Sequence, residues 1–351
     1  MEKILIIGDP HFKASNLSVM APICDEILAL IDEHKFTRVV SCGDTLDTHE
    51  RIHLSALCFA VRFYQAIAKK TKLVVLIGNH DRLSNQDFCS DVHPFPGLED
   101  TPNITVVWTT VWDKENNFIY VPYVPSGRFN DALALVGYTP GDSVEPLMIF
   151  PHQELRNVIM GIKVSASGDP WGPHLPPIFS GHIHEHQVLP GAVYVGTFLQ
   201  QNYGESSDKA LMVVNLDRNK PKGSNFSYDR IRLRTAPIKT TIHMRIPDLP
   251  NAAEKIPPGH QVKVVLHLDA TETKDIEKNP WFQSLKSMVD KVVKKVEGDK
   301  ASIANNMVKE MKKQGRLAPV EKGTYKVEEI VRAMLMDDPN TLHIFESEIC
   351  T

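Results

Sequence analysis

Short apolar runs that each lead into an aspartate, asparagine or histidine constrain the fold of this chain more than any other feature. The first run covers residues 3–8, and Asp9-Pro10-His11 follows it directly. A run of this length with β-branched residues predicts a buried strand. Asp-x-His then falls at the carboxyl edge of a sheet, where open α/β sheets place their chemistry. The opening therefore suggests a metal pair, which the rest of the chain has to support.

The same arrangement recurs twice within the first 80 residues. The sequence predicts a helix over 21–34, a strand over 37–41, a helix over 55–69 and a strand over 73–77. The second strand leads to Asp44 and the third to Asn79, each directly after a glycine. Repeated βαβ units with right-handed crossovers bring such strand ends to one sheet edge. We therefore expect Asp9, His11, Asp44 and Asn79 in one site.

Histidines follow two later apolar runs in the same way. Further strands are predicted over 104–108, 118–121, 147–150, 178–180, 193–195 and 211–216. One of these runs leads to His152 and another to His182 and His184. Residues 1–235 are therefore predicted to form one α/β domain, a sandwich of two sheets flanked by helices.

The remaining sequence predicts two smaller parts. A strand over 262–267 and a helix over 280–297 follow a proline-containing linker, and Pro280 suits a first helical turn. Residues 236–298 are therefore predicted to form a small α+β domain. Two further helices, over 302–314 and 327–335, make residues 299–351 a C-terminal helical segment.

Composition limits the class of protein and its environment. The chain has 351 residues, enough for about two domains, and its net charge of −4 excludes a strongly basic overall field. Any nucleic acid would therefore be attracted by local patches or by bound metal. The five cysteines are scattered without paired spacing, which predicts a reducing compartment. With no signal peptide and no bilayer-length apolar stretch, we expect an intracellular, cytoplasmic protein without a membrane.

The strand ends together supply a mixed set of oxygen and imidazole ligands. The candidates are Asp9, His11, Asp44, Asn79, His152, His182 and His184. This chemistry suits Mn²⁺, Fe²⁺ or Zn²⁺, and seven ligands suit two ions about 4 Å apart that share one carboxylate. Asp44, central in chain and sheet order, is the expected bridge. A first ion would take Asp9, His11, Asp44 and His184, and a second would take Asp44, Asn79, His152 and His182.

His80 is predicted to act beside the metals rather than on them. It follows the ligand Asn79 but points the other way in the alternation of the chain. A histidine there can donate a proton to the leaving oxygen or stabilise the transition state. It needs an orienting carboxylate, for which Asp47 is the expected partner and Asp81 the alternative.

These motifs resemble those of the calcineurin-like metallophosphoesterases. Asp-x-His, Gly-Asp-x-x-Asp, Gly-Asn-His-Asp, a lone His and Gly-His-x-His occur in the order of that family. Within the family the chain is similar to SbcD-type DNA double-strand-break repair nucleases, especially the recombination-endonuclease subunits of large phages and viruses. The stretch from Val195-Gly196 to Gly204-Glu205 adds to this resemblance, as does the part after Pro258, which is similar to a capping domain.

The resemblance implies a Mn²⁺-dependent nuclease with exonuclease activity on duplex ends and endonuclease activity on single strands. It also implies a homodimer that associates with an SbcC-like, SMC-type ATPase, inside a host cell if the chain is viral or phage-encoded. Apolar spacing at Ile330, Val331, Met334 and Leu335 suggests that the C-terminal helices dock on that ATPase.

Residues near the bridging aspartate offer a path for DNA. The candidates for flanking phosphates are His49, Arg51, His53 and Arg82. They could equally be ordinary surface loop residues. Two other functions stay open: a phosphomonoesterase or cyclic-nucleotide phosphodiesterase with the same metals, and a non-catalytic DNA-tethering subunit of an ATPase.

Overall fold

The computed structural model describes residues 1–49, 51–269 and 271–297. They form two compact units, Met1–Thr240 with Pro258–Gln261, and Thr241–Pro257 with the described residues from Val262 onward. The helices predicted over 302–314 and 327–335, with their four apolar positions, lie outside the described residues.

The first sheet of the larger unit contains the strands that open the chain. Its strands are β1 (Glu2–Ile7), β2 (Arg38–Ser41), β3 (Lys72–Leu76), β4 (Ile104–Val107), β13 (Leu211–Leu216) and β14 (Phe226–Ile231). Their spatial order is β14-β13-β1-β2-β3-β4. Strands β1 to β4 are parallel, whereas β13 pairs antiparallel with both β1 and β14. The carboxyl ends of β1, β2 and β3 therefore lie side by side, as predicted.

The second sheet has a parallel centre with an antiparallel strand at each edge. Its strands are β5 (Val111–Asp113), β6 (Phe118–Val121), β7 (Met148–Pro151), β10 (Ile178–Ser180), β11 (Gln187–Leu189) and β12 (Ala192–Tyr194). Their order is β11-β12-β10-β7-β6-β5. A separate hairpin joins β8 (Ile159–Met160) to β9 (Lys163–Val164).

Alternation along β1 shows how the layers are packed. Leu5 and Ile7 belong to the core shared with the first two helices, whereas Ile4 and Ile6 belong to the core between the two sheets. Because both faces are buried from Ile4 onward, the last four residues of the strand are all apolar. The predicted two-sheet α/β architecture with flanking helices is confirmed.

The helices of the described residues are few. They are α1 (Leu17–His34), α2 (Leu54–Ala68), α3 (Phe129–Ala134), α4 (Ala252–Lys255) and α5 (Pro280–Met288). Short 3-10 turns cover Pro96–Leu98, Ile246–Asn251, Glu272–Lys274 and Ile276–Lys278. Helix α1 begins four residues earlier than predicted and contains Pro22.

The smaller unit contains a three-stranded sheet and a helix. Its strands are β15 (Ile238–Met244), which begins in the larger unit, β16 (His260–Asp269) and β17 (Lys291–Glu297), in that order. The helix predicted over 280–297 is wrong in its second half, because α5 ends at Met288 and β17 follows. Val292 and Val293 are β-branched, and β17 pairs in parallel with β16, so tertiary pairing decides this segment.

Candidate metal centre

The seven predicted ligands lie at the carboxyl ends of parallel strands from both sheets. Asp9 and His11 follow β1, Asp44 follows β2, Asn79 follows β3, His152 follows β7, and His182 and His184 follow β10. The opposed sheets thus bring residues that are up to 175 positions apart in the chain to one edge of the sandwich.

Asp9, His11 and His184 form a first group of potential ligands. One ligand atom from each lies within 4.8 Å of the others. The Nε2 atoms of His11 and His184 are 3.0 Å apart. Asp9 is 1% exposed, and neither of its carboxylate oxygens has a hydrogen-bond partner among the described residues. Burying a carboxylate without a hydrogen-bond partner is costly, so this arrangement fits a bound cation.

Asp44, His152 and His182 form a second group, to which Asn79 adds an oxygen. The Asn79 Oδ1 atom lies 3.0 Å from His152 Nε2 and 3.0 Å from His182 Nδ1. His152 donates from Nδ1 to the carbonyl oxygen of Cys42 over 2.6 Å, which leaves Nε2 to act as a ligand. This oxygen and imidazole set fits a divalent transition metal.

Asp44 connects the two groups through its two carboxylate oxygens. Oδ2 lies 3.8 Å from His11 Nε2 in the first group, and Oδ1 lies 3.3 Å from His152 Nε2 in the second. A carboxylate that directs one oxygen to each group has the geometry expected of a bridge between two ions. The structure therefore brings the seven predicted residues close together, and their division between two ions stays a prediction.

Three of the seven candidate ligands have a strained backbone. His11, Asp44 and His182 have φ angles of 47°, 47° and 77°, in the left-handed region that non-glycine residues rarely adopt. Gly78 lies so close to Asp44 that an added Cβ would be 2.2 Å from its backbone nitrogen. Close approach of the strand ends thus explains the glycine next to Asn79.

The pKa values of neighbouring groups in the site are shifted in different directions. Burial raises the pKa of Asp9 to about 6. Burial also favours the neutral form of His152, but the Asp44 carboxylate outweighs it and raises the pKa of His152 to about 9. Burial lowers the pKa of His182 to about 3. Such divergent values are typical of functional sites.

Asp47 orients His80, as predicted, but through its backbone rather than through its carboxylate. Its Nδ1 donates to the backbone carbonyl oxygen of Asp47 over 2.9 Å. The Asp47 carboxylate instead pairs with Lys13 Nζ at 3.0 Å. The alternative, Asp81, accepts hydrogen bonds from three backbone amides, including that of Thr45. The expectation of an orienting carboxylate is therefore wrong, because a carbonyl supplies the acceptor.

His80 also lies close to the first group and to a second histidine. Together with His11 and Asp44 it forms a third set whose ligand atoms lie within 4.8 Å of one another. The His49 ring stacks on the His80 ring with centroids 4.4 Å apart. The backbone amide of His80 donates to Asp44 Oδ1 over 2.8 Å.

Glu205 and Lys209 hold His184 in position through hydrogen bonds. The Glu205 carboxylate lies 3.1 Å from His184 Nδ1, and Lys209 Nζ donates to the His184 carbonyl oxygen over 2.7 Å. Lys209 also pairs with Glu205 at 3.1 Å and Glu185 at 3.2 Å while only 5% of its side chain is exposed. Burial opposes ionisation of Glu205, but the His184 bond and the Lys209 charge hold its pKa at about 2.

The four residues predicted to contact DNA have different environments. Arg51 is exposed and, with His49, lines a surface groove of about 650 Å³. His53 instead caps α2, because its Nδ1 accepts from the Ser55 amide at 3.3 Å. Arg82 is 2% exposed and donates to the carbonyl oxygens of Asp87 and Trp108. The prediction that Arg82 lies on a DNA path is therefore wrong, because its guanidinium is buried.

Tyr123 is a site residue that the sequence reasoning missed. Its ring lies 5.7 Å from the His182 ring and 6.2 Å from the His152 ring, between centroids. Tyr123 comes two residues after β6, whose neighbour β7 leads into His152. Its position after a predicted strand was the signal that could have identified it.

The chain belongs to the calcineurin-like phosphoesterase family, whose model matches residues 2–186. It is 32% identical to protein 244L of Invertebrate iridescent virus 6 over 280 residues, which cover 79% of this chain and 98% of the viral protein. It is 35% identical to protein 078R of Invertebrate iridescent virus 3 over 236 residues, or 66% of each chain. Both viral proteins are named provisionally as phosphoesterases.

Family membership makes the chain a metallophosphoesterase, a hydrolase of phosphoesters that uses divalent metal ions. Among the described helices, none is long and apolar enough to span a membrane.

Proposed function

We propose that this metallophosphoesterase is a Mn²⁺-dependent DNA nuclease, with exonuclease activity on duplex ends and endonuclease activity on single strands. The observation that carries the hydrolytic part is the placement of Asp44, which presents one oxygen to each ligand group. The DNA part is supported by the surface groove that includes His49 and by the motif resemblance.

A pair of divalent ions, when bound, would activate the attacking water and offset the charge of the phosphate. Asp9, His11, Asp44 and His184 would hold one ion, and Asp44, Asn79, His152 and His182 would hold the other. The chain itself fixes the orientation of these side chains. The Cys42 carbonyl sets the tautomer of His152, and Glu205 sets that of His184.

His80 is proposed as the catalytic proton donor. Its Nδ1–H is engaged by the Asp47 carbonyl oxygen, which leaves Nε2 for the substrate. Protonated Nε2 would give its proton to the leaving oxygen of the phosphodiester, a role worth roughly 10²–10⁴-fold in rate. Stacking against His49 restricts the ring to this orientation.

A shallow surface groove that includes His49, whose ring stacks on His80, supports a polymeric substrate. It is lined by Thr48, His49, Arg51 and the stretch 83–86, and its volume is about 650 Å³. Polar side chains and one arginine suit phosphate contacts that carry no sequence information. Because the net charge of the whole chain is −4, these local contacts and the metals would supply the attraction to DNA.

The test compares two substrates in Mn²⁺ with wild-type and His80→Ala protein. An end-labelled DNA duplex should be degraded by the wild type and not by the variant. Hydrolysis of a small aryl phosphate without any cleavage of DNA would favour the phosphomonoesterase alternative. DNA binding without hydrolysis of either substrate would favour a tethering subunit.

The proposed partners are a second copy of the chain and an SbcC-like ATPase, both on the basis of the motif resemblance. The proposed ATPase contact lies in the C-terminal segment, outside the described residues. Light scattering of the purified chain tests the dimer. Co-purification with the ATPase after truncation at Glu297 would place the contact elsewhere.

A further inference from the structure

The hairpin of β8 and β9 exposes a run of aliphatic side chains next to the candidate metal centre. Ile159 is 51% exposed, Met160 39%, Ile162 100% and Val164 61%. Ile159 also pairs with Val164 across the hairpin, and exposed apolar side chains grouped in this way commonly mark a binding site.

Hydrogen bonds fix the base of this hairpin to the rest of the larger unit. Gln187 clamps Ile159 through two hydrogen bonds of 2.8 Å, one to its amide and one to its carbonyl. Ser165 donates from its amide to the carbonyl of Val158 over 2.8 Å, and Val158 is fully buried. The aliphatic side chains are therefore held at a defined place beside the site.

A cavity of about 320 Å³ lies between the hairpin and the metal centre. Ile159, Met160 and Gly161 form one side, and His182 and His184 belong to the other. Two of the seven candidate ligands thus line a space whose opposite side is aliphatic. A phosphodiester held at the metals would place one of its flanking groups in this cavity.

The charge of the cavity suits a neutral group rather than a second phosphate. Glu185 and Glu205 line it and share Lys209, at 3.2 and 3.1 Å, so the carboxylates outnumber this cation and would repel an anion. A neutral, flat and largely apolar group next to a phosphodiester is a nucleobase. Isoleucine and methionine are among the side chains that proteins place against unstacked bases.

We propose that this cavity is a subsite for the nucleobase on one side of the scissile phosphate, with Ile159 and Met160 against its face. The proposal rests on the proposed nuclease function and specifies how the substrate is recognised. Aliphatic contacts and the adaptable thioether of methionine accept all four bases. The subsite therefore favours cleavage that depends on the presence of a base but not on its identity.

The test uses short single-stranded DNA in Mn²⁺, either with all bases or with one abasic nucleotide on either side of the cut. For the wild type, loss of the base on the bound side should lower kcat/KM by about tenfold, within the range of base contacts in single-strand binding. The double variant Ile159→Ser, Met160→Ser should cleave both substrates with similar kcat/KM. Both side chains are exposed, so the fold should tolerate the change.

Val144→Ser is the matched control, since Val144 is 67% exposed and does not line the cavity. This variant should discriminate between the substrates as the wild type does. Equal cleavage of both substrates by the wild type, or retained discrimination in the double variant, would overturn the subsite while leaving the nuclease function intact. Hydrolysis of an aryl phosphate without cleavage of any oligonucleotide would overturn both proposals.

Discussion

The Glu205 carboxylate lies 3.1 Å from His184 Nδ1, directly behind a histidine whose Nε2 atom is 3.0 Å from that of His11. This relationship joins a loop near residue 205 to the candidate metal centre. It gives the stretch from Gly196 to Glu205 a physical role, because the carboxylate fixes the tautomer and direction of a ligand.

Replacing Glu205 by alanine should weaken metal binding. Loss of such an outer partner typically costs about 10- to 100-fold in metal affinity. Isothermal titration of the metal-free protein with Mn²⁺ measures the effect, and Glu205→Gln should recover part of it because an acceptor remains. Asp208→Asn is the control, since Asp208 is exposed and pairs with Arg230. Wild-type affinity in Glu205→Ala would contradict the positioning role.

Replacing His80 by alanine should lower kcat while leaving metal stoichiometry unchanged. A proton donor is worth roughly 10²–10⁴-fold in rate, whereas a ligand is needed for loading. Metal content measured by mass spectrometry on the same preparations separates these roles. Loss of one ion in His80→Ala would instead identify His80 as a ligand, in the set with His11 and Asp44.

Metal binding should release protons and strengthen as pH rises. The pKa of His152 is about 9 because of Asp44, so at pH 7.5 its imidazole is protonated and must lose that proton to become a ligand. His182 has a pKa of about 3 and is already neutral. Asp9, with a pKa of about 6, adds a further loss of affinity below that pH.

Calorimetry in two buffers of different ionisation enthalpy measures the protons released. His152 should release about one proton per protein at pH 7.5, and the raised pKa of His184 should add to the release. Affinity that does not change between pH 6 and 9 would contradict the proposed protonation of His152.

Replacement of Arg51 by alanine should affect DNA binding, whereas replacement of Arg82 by alanine should affect stability. Arg51→Ala should leave the free energy of unfolding within about 0.5 kcal/mol of wild type and reduce the salt slope of DNA binding by about one. Arg82→Ala removes a buried side chain that bonds two carbonyls, so it should cost about 2 kcal/mol or more. Urea unfolding and salt-dependent DNA binding measure both. Unchanged stability of Arg82→Ala would be inconsistent with its burial.

The sequence was informative wherever a ligand sits directly after its strand. Asp9, Asp44 and Asn79 follow apolar runs, and parallel pairing then fixes them at one edge. The sequence was less informative about which groups hydrogen-bond to the site residues. Orientation of His80 by a carbonyl rather than a carboxylate depends on how two loops meet, and no local pattern records that.

The sequence also does not show which long polar side chains are buried. Arg82 follows the Gly-Asn-His-Asp motif and looks like a phosphate contact, yet it is directed into the protein. The segment after Met288 shows the same limit, because a helical continuation and a strand compete there, and pairing with β16 selects the strand.

The sequence by itself determined the class of fold, the order of the motifs and the candidate ligands, because apolar periodicity and strand-end residues are local properties of the chain. Only the tertiary structure decided how the ligands meet. Face-to-face packing of the two sheets brings His152, His182 and His184 to Asp44, Glu205 to His184, and the aliphatic hairpin to the rim of the site. These contacts span tens to hundreds of residues, so they depend on long-range packing that no short pattern encodes.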